Sequence, residues 1–311
     1  MLQTVLGAGG ATGVELAKAL RDYDTKIRLV SRNPVKVNPS DELFKADLLD
    51  EKQTLDAVKG SDVVYLTVGL PYKTSVWSAS WPKLVKNVIK ACETHQAKLV
   101  FFDNVYMYDP TDLSDMTENH KVGPTSRKGK VRQMVSDMIT QASKEGRIKA
   151  LIARSADFYG PSIKQTSMLN ETTVKPLSEG KTANWMGPLD KKHSFTYTPD
   201  AGKATAILGN DDTAHGQVWH LPTASNPLTG QGWVEAIAQH FNTPPKLRAN
   251  GRLIINFLGL FVPIMREMPE MMYQYDRDYV FNSSKFEKKY SFTPTSYEDG
   301  IKHMLEIDYK S

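Results

Sequence analysis

At 311 residues and 40% hydrophobic side chains, the chain can form one large domain or two modest ones and bury a core without disulfide or metal staples. Its 39 Lys and Arg stand against 35 Asp and Glu, and a formal charge of only +4 gives no argument for a nucleic-acid partner, so none is expected. A single cysteine, Cys92, excludes an intrachain disulfide and a cysteine-built zinc cluster; it fits a reducing, cytoplasmic setting and reads as plain core.

The first apolar run, residues 4–6, continues from Leu2 as a buried strand leading straight into glycines, which leaves no room for a signal peptide. Further strands are predicted at 26–31, 43–46, 62–68, 98–102 and 150–154. Between them lie helix-length amphipathic segments, among them 13–20, where Leu16, Ala17 and Leu20 share one face, and the longer 81–93. This alternation predicts a parallel sheet covered by helices on both faces. The basic run Arg127, Lys128, Lys130 and Arg132 reads as a helix start rather than a DNA footprint. Past Gly160 the pattern turns irregular, with eight prolines between 176 and 263, and 217–221 looks like a late strand returning to the main sheet. The longest apolar stretch, 253–265, would span about 20 Å as a helix against roughly 30 Å of bilayer hydrocarbon. Asn256 and Pro263 interrupt it, and it is expected as a core or substrate-lobe helix, with a membrane-surface anchor as the other reading.

The strand at 4–6 feeds a turn with glycines at 7, 10 and 13, and an amphipathic helix follows. Gly7 permits the tight turn, Gly10 lets the backbone approach a pyrophosphate, and Gly13 lets helix and strand pack closely. Ala11 and Thr12 lie between them at the helix start, where free N–H groups and a partial positive charge favour phosphate. The alternative is a glycine-rich turn with no ligand. The expected architecture is therefore α/β: a doubly wound parallel Rossmann sheet over residues 1–160, with 194–222 returning to it, and a smaller irregular C-terminal substrate lobe from 161–193 and 223–311.

About 20 residues past such a turn, an acid would hold the ribose hydroxyls of NAD. Here the strand ends in Ser31 and Arg32. A guanidinium cannot accept from a hydroxyl but can clamp a 2′-phosphate, and a charged hydrogen bond of about 1.5–3 kcal/mol means roughly ten- to hundredfold preference. NADP(H) is predicted over NAD(H), which stays open as the second choice; the plainer reading of Arg32 is a solvated strand end.

Together with the glycine turn, Asp47 and Leu48 after the third strand, Thr67, Val68 and Gly69 after the fourth, and Asn104, Val105 and Tyr106 after the fifth resemble the extended short-chain dehydrogenase/reductase family, the NAD-dependent epimerases and dehydratases. Arg154 with Tyr159, Gly160 and Pro161, the stretch 195–200 with Ala201, and Phe292, Thr293, Pro294, Gly300 and Ile301 are similar to later landmarks of that family. The resemblance implies that Asp47 and Leu48 contact adenine and that 67–69 line the cofactor. It also implies that Lys128 is the family lysine, which binds the nicotinamide ribose and lowers the pKa of a catalytic tyrosine one helical turn away.

The pattern breaks at the chemistry. Four residues before Lys128 stands Pro124, a register through Lys130 gives Ser126, and the position of the usual Ser or Thr falls on Phe102. Tyr106 and Tyr108, with Tyr72 and Tyr159, are the nearest substitutes for the lost proton donor, and packing is the ordinary role of each. Lys128 itself has the alternative of an ordinary surface lysine. His193 stands where sugar-nucleotide members carry an Arg; an imidazole with a reference pKa near 6.5 is mostly neutral at pH 7 and lacks the bidentate fork, which disfavours a nucleotide-sugar substrate. Trp77, Trp81, Trp185, Met186 and the methionines of 265–272 either line an apolar pocket or fill core. Motifs for an esterase elbow, a zinc protease, a Walker loop and a calcium loop are absent, so no metal is expected.

Two functions of different kind follow. One is an NADP-dependent oxidoreductase or epimerase-like enzyme acting on a small carbonyl or hydroxyl compound with a relocated proton donor. The other is a non-catalytic protein that senses NADP(H). A third reading makes 253–265 the contact of a partner-bound or membrane-surface subunit. No transmembrane segment is expected, and a homo-oligomer stays open.

Overall fold

The computed structural model describes residues 1–161, 163 and 167–309. In chain order the elements are β1 (Leu2–Leu6), α1 (Ala11–Ala19), β2 (Lys26–Ser31), β3 (Glu42–Lys45), α2 (Glu51–Val58), β4 (Val63–Leu66), α3 (Thr74–His95), β5 (Lys98–Asp103), α4 (Arg127–Lys144) and β6 (Ala150–Arg154). There follow β7 (Asp157–Tyr159), α5 (Lys175–Ser178), β8 (Ala183–Met186), β9 (Phe195–Tyr197), α6 (Thr198–Asn210), β10 (Val218–His220), α7 (Gly230–His240), β11 (Leu247–Asn250), α8 (Arg252–Leu258), α9 (Ser284–Tyr290) and α10 (Tyr297–Asp308).

They fall into two compact units. The first holds Met1–Met107, Lys128–Ser155 and Pro199–Leu221. Its seven strands run parallel in the order β10-β6-β5-β4-β1-β2-β3. A parallel sheet is covered on both faces, so its strands read as near-continuous apolar runs; every residue of β4 and of β6 is buried. On one face Leu6, Val30, Leu66 and Phe101 pack against Trp81, Val85 and Val88 of α3 and Val135 of α4. On the other, α6 lies so close to β4 that a Cβ on Gly209 would stand 2.1 Å from the Tyr65 hydroxyl. β1 pairs with β2 on one side and β4 on the other, so the strand order reverses between β1 and β4. A ligand crevice opens beyond the carboxyl ends of the strands at such a reversal.

The helix expected at 81–93 begins seven residues earlier, at Thr74, and carries Pro82 inside it. A mid-helix proline costs about 3 kcal/mol. Continuing through it buries both Trp77 and Trp81, each worth roughly 1.5–3 kcal/mol, which offsets the loss.

The second unit holds Tyr108–Arg127, Ala156–Thr198 and Pro222–Ser311. It contains two short parallel pairs, β8 with β11 and β7 with β9, around an aromatic core in which Tyr159, Phe195, Trp233 and Tyr297 meet edge to face or tilted. The expectation of a core or substrate-lobe helix over the whole of 253–265 is corrected in length and burial. Only Arg252–Leu258 is α-helical, Gly259 ends it, and of its residues Ile255 alone is buried. Apolar composition without a consistent period told neither length nor facing. Among the described residues, no helix is long and apolar enough to cross a membrane.

Candidate functional site

The turn after β1 is built by backbone. Gly7 N–H donates to Val30 O at 2.9 Å, Gly10 N–H closes the turn on Gly7 O at 3.1 Å, and Val14 N–H starts the helix on Gly10 O at 3.0 Å. Gly7 has φ +95°, and a Cβ there would lie 2.7 Å from the Val68 backbone. A Cβ on Gly13 would lie 2.8 Å from Gly7 O and 3.1 Å from Thr67 Oγ1. Gly10 differs: its φ of −82° suits any residue, and a Cβ would meet nothing nearer than Gly7 O at 3.6 Å. The protein's own atoms demand Gly7 and Gly13 but not Gly10. Gly10 caps α1 without a side chain, no acid lies in the first turn, and among the described residues the amides of Ala11, Thr12 and Gly13 meet no acceptor. Those amides and the helix dipole make a concentrated positive end.

Thr67 and Val68 follow β4 beside this turn. Thr67 N–H and Oγ1 both donate to Leu6 O, at 2.9 and 3.1 Å, which ties the two strand ends together. Gly69 is exposed, with open space around its α-carbon. Arg32 follows β2, is exposed, and makes no hydrogen bond or ion pair among the described residues. Asp47 follows β3; one of its carboxylate oxygens accepts from Leu49 N–H at 3.0 Å, and its own N–H donates to Gln53 Oε1. Leu48 is buried, its carbonyl accepting from Thr54 Oγ1 and Asn87 Nδ2.

Lys128, in the first turn of α4, is wholly buried, which removes the surface-lysine alternative. Its Nζ donates to Thr74 Oγ1 at 3.0 Å and stands 4.7 Å from the centre of the Tyr72 ring. Tyr72 meets Trp77 edge-on at 5.7 Å, and Trp77 stacks on Tyr106 at 6.1 Å. Lys128, Thr74, Tyr72, Trp77 and Tyr106 thus form one cluster within the first unit. Tyr108 and Tyr159 belong to the second. Tyr108 is buried with its ring 5.0 Å from His120, and Tyr159 is enclosed by Tyr197, Trp233 and Tyr297.

Sequence reasoning missed the support beneath this cluster. Arg132 Nε donates to Asp103 Oδ1 at 2.7 Å, a second bond from Arg132 Nη2 reaches the same oxygen, and Arg154 Nε lies 3.6 Å from Oδ2. All three residues are buried, and the Arg132 guanidinium lies over Trp81 and Phe101. This knot fixes the end of β5, from which Tyr106 follows, to the helix that carries Lys128. The signal was present in the spacing: Lys128 and Arg132 stand four apart on one face of α4 and are buried, while Arg127 and Lys130 are exposed. Thr74 carried no local signal, since its partner is 54 residues away.

His193 is a packed residue of the second unit. Its ring stacks between Tyr275 and Tyr279 at 4.6 and 4.5 Å, and Nε2 lies 3.0 Å from Asp157 Oδ2, which also accepts from the Tyr275 hydroxyl. Trp185, Met186, Met268, Met271 and Met272 are buried in the same unit, and Trp77 and Trp81 in the first.

The model of the NAD dependent epimerase/dehydratase family matches residues 3–221. Among solved structures, the UDP-glucose 4-epimerase of Thermus thermophilus in complex with NAD aligns over 98% of both chains at TM-score 0.80 and 13% identity. The UDP-glucuronic acid 4-epimerase of Bacillus cereus in complex with NAD aligns over 99% of this chain and 98% of its own, at TM-score 0.79 and 16% identity. A dTDP-glucose 4,6-dehydratase double mutant from Streptomyces venezuelae, with NAD and DAU bound, aligns over 98% and 96%, at TM-score 0.81 and 14% identity. At such identities the likeness is one of fold. No curated protein matches the sequence.

Proposed function

The chain belongs to the NAD dependent epimerase/dehydratase family, and we propose that it is a nicotinamide-dependent oxidoreductase that prefers NADP(H) and acts on a small carbonyl or hydroxyl compound. The observation that carries this reading is Gly10, a glycine its own fold does not require, set over three unengaged amides at a helix start. Backbone free of a side chain at that point suits the close approach of a pyrophosphate.

The residues fit the cofactor as follows. Ala11, Thr12 and Gly13 amides hold the pyrophosphate; Arg32, uncommitted within the fold, takes the 2′-phosphate; Asp47 and Leu48 hold the adenine; Thr67, Val68 and Gly69 line the path beyond. Lys128 holds the nicotinamide ribose from its buried seat beside Thr74. When bound, the nicotinamide supplies hydride transfer to or from the substrate carbon. Tyr106 donates or accepts the proton, because it is half-buried and shares the Lys128 cluster, whereas Tyr108 is sealed against His120. The His193 ring, walled by two tyrosines and bonded to Asp157, is poorly suited to grip a diphosphate, which supports a substrate other than a nucleotide sugar.

The test is a fluorescence titration with NADPH and NADH, followed by NADPH oxidation across a carbonyl panel. NADPH should bind ten- to hundredfold tighter than NADH, and Arg32→Ala should erase the difference while leaving NADH binding unchanged. Lys128→Ala should abolish turnover, and Tyr106→Phe should lower kcat by about 10²- to 10⁴-fold. Binding without turnover on any substrate would replace this reading with that of an NADP(H) sensor. Absence of binding would overturn both.

A further inference from the structure

Of the fourteen large hydrophobic side chains exposed among the described residues, eight lie between positions 253 and 264. Leu253 is 85% exposed, Phe257 62% and Phe261 71%, and the two phenylalanine rings meet edge-on at 5.6 Å, so they form one apolar knob rather than scattered contacts. Such a patch on a folded chain marks something that covers it.

The backbone under the knob is closed on itself. Gly259 N–H donates to Ile255 O at 2.9 Å, Phe261 and Val262 N–H both donate to Leu258 O, and the Arg266 guanidinium reaches back to Gly259 O at 2.6 Å and Leu260 O at 3.1 Å. Ile255, buried, roots α8 in the second unit. A turn whose carbonyls are satisfied from within can leave water without stranding polar groups.

The rim is basic. Between residues 246 and 266 stand Lys246, Arg248, Arg252 and Arg266 and no acid, so this one segment holds as much net charge as the entire chain, +4. Lys246, Arg248 and Arg252 are exposed, and none is in an ion pair among the described residues. A second copy of the chain would suit the apolar knob but not its rim, because a two-fold contact sets each cation cluster against itself. A bilayer carrying negative headgroups suits both, taking the knob into its headgroup and acyl boundary and the cations at its surface.

We propose that the knob formed by α8 and the turn after it docks the protein on an anionic membrane surface, without crossing it. This is independent of what the first unit binds. Each basic residue near such a surface strengthens binding about fivefold, so the three uncommitted cations contribute roughly a hundredfold together, and salt screens them.

The full chain is sedimented with large vesicles of phosphatidylcholine alone and of phosphatidylcholine with phosphatidylglycerol. It should pellet with the second and not the first, and 0.5 M NaCl should release most of it. Phe257→Ser with Phe261→Ser should abolish pelleting, and Lys246→Gln, Arg248→Gln and Arg252→Gln together should weaken it roughly a hundredfold. All these side chains are exposed, so melting temperature and NADPH binding should stay at wild-type values in both variants. The proposal is overturned if the chain stays in the supernatant with either vesicle. It is equally overturned if binding ignores charge and salt, or if the chain forms a reversible dimer that the double serine variant abolishes.

Discussion

Gly10→Ala separates a glycine kept for folding from one kept for a ligand. Gly10 has φ −82° and ψ 160°, an ordinary extended conformation, and the new methyl would touch only Gly7 O at 3.6 Å and Thr67 O at 3.9 Å. Replacing glycine in a compatible conformation stabilises by about 0.4–1 kcal/mol through the unfolded chain. Alanine is a poorer helix N-cap than glycine by some tenths of a kcal/mol, so the two effects nearly offset. The melting temperature should move by no more than about 2 °C. Binding should suffer far more, because the methyl occupies the approach to the Ala11, Thr12 and Gly13 amides. Losing one charge-assisted hydrogen bond costs about 1.5–3 kcal/mol, or roughly ten- to hundredfold in Kd for NADPH. Gly7→Ala is the control: at φ +95°, with a Cβ 2.7 Å from the Val68 backbone, it combines about 1–3 kcal/mol of strain with a clash no side chain can relieve. It should lower the melting temperature by roughly 5–10 °C. Calorimetry without cofactor and a fluorescence titration with NADPH measure the two quantities separately. If Gly10→Ala bound NADPH as tightly as wild type, the start of α1 would not be the phosphate cradle.

Two further outcomes rest on the interior. Burial pushes the Cys92 thiol up from 9.0 to about 12, so the folded state favours its neutral form; this contribution is complete below about pH 9 and is lost as pH rises towards 12. The stability difference between wild type and Cys92→Ala should therefore shrink by about 1.4 kcal/mol per pH unit above 9 in urea melts, and native protein at pH 8 should not react with a thiol reagent. A thiol that reacts before unfolding would disprove the buried placement. Asp103→Asn leaves the Arg132 and Arg154 guanidiniums buried without their carboxylate, which should cost about 3–5 kcal/mol in urea unfolding, and a loss under 1 kcal/mol would mean that the knot supports nothing.

What the chain disclosed by itself follows the range of the interactions. β2 and β6 were legible to the residue: β6 is buried at every position and is apolar up to its closing arginine, and β2 keeps Ile27, Leu29 and Val30 buried between its polar positions. The glycine turn was legible because a strand, glycines spaced at 7, 10 and 13, and a helix stand together within twenty residues of the start. The meeting of Asp103, Arg132 and Arg154 was not, because it depends on β5, α4 and β6 closing side by side; the four-residue spacing of Lys128 and Arg132 marks a helix face but names no partner for it. The segment at 253–265 failed for a different reason. Hydrophobicity reports that a surface avoids water, and says nothing of whether the same chain provides the cover.

The same limit explains why the three glycines looked alike in the sequence. Their spacing matches one motif, yet Gly7 answers to a left-handed backbone, Gly13 to the approach of helix and strand, and Gly10 to neither. A fold selected for stability alone would gain from a side chain at Gly10, because the unfolded state would lose freedom at no steric cost. A residue whose absence of side chain serves nothing inside the protein is explained by something outside it. Lys128 is the mirror image: taking its ammonium out of water costs several kcal/mol, and a fold selected for stability alone would place an apolar side chain in that seat beside Thr74 and Tyr72. Both departures from the most stable choice occur in the first unit: Gly10 stands in the turn after β1, and Lys128, on α4, sets its ammonium against Tyr72 and Thr74 in the chain that follows β4, the strand that pairs with β1 where the sheet order reverses. Steric room at one and a buried cation at the other are what an elongated, polyanionic ligand laid across that reversal would require.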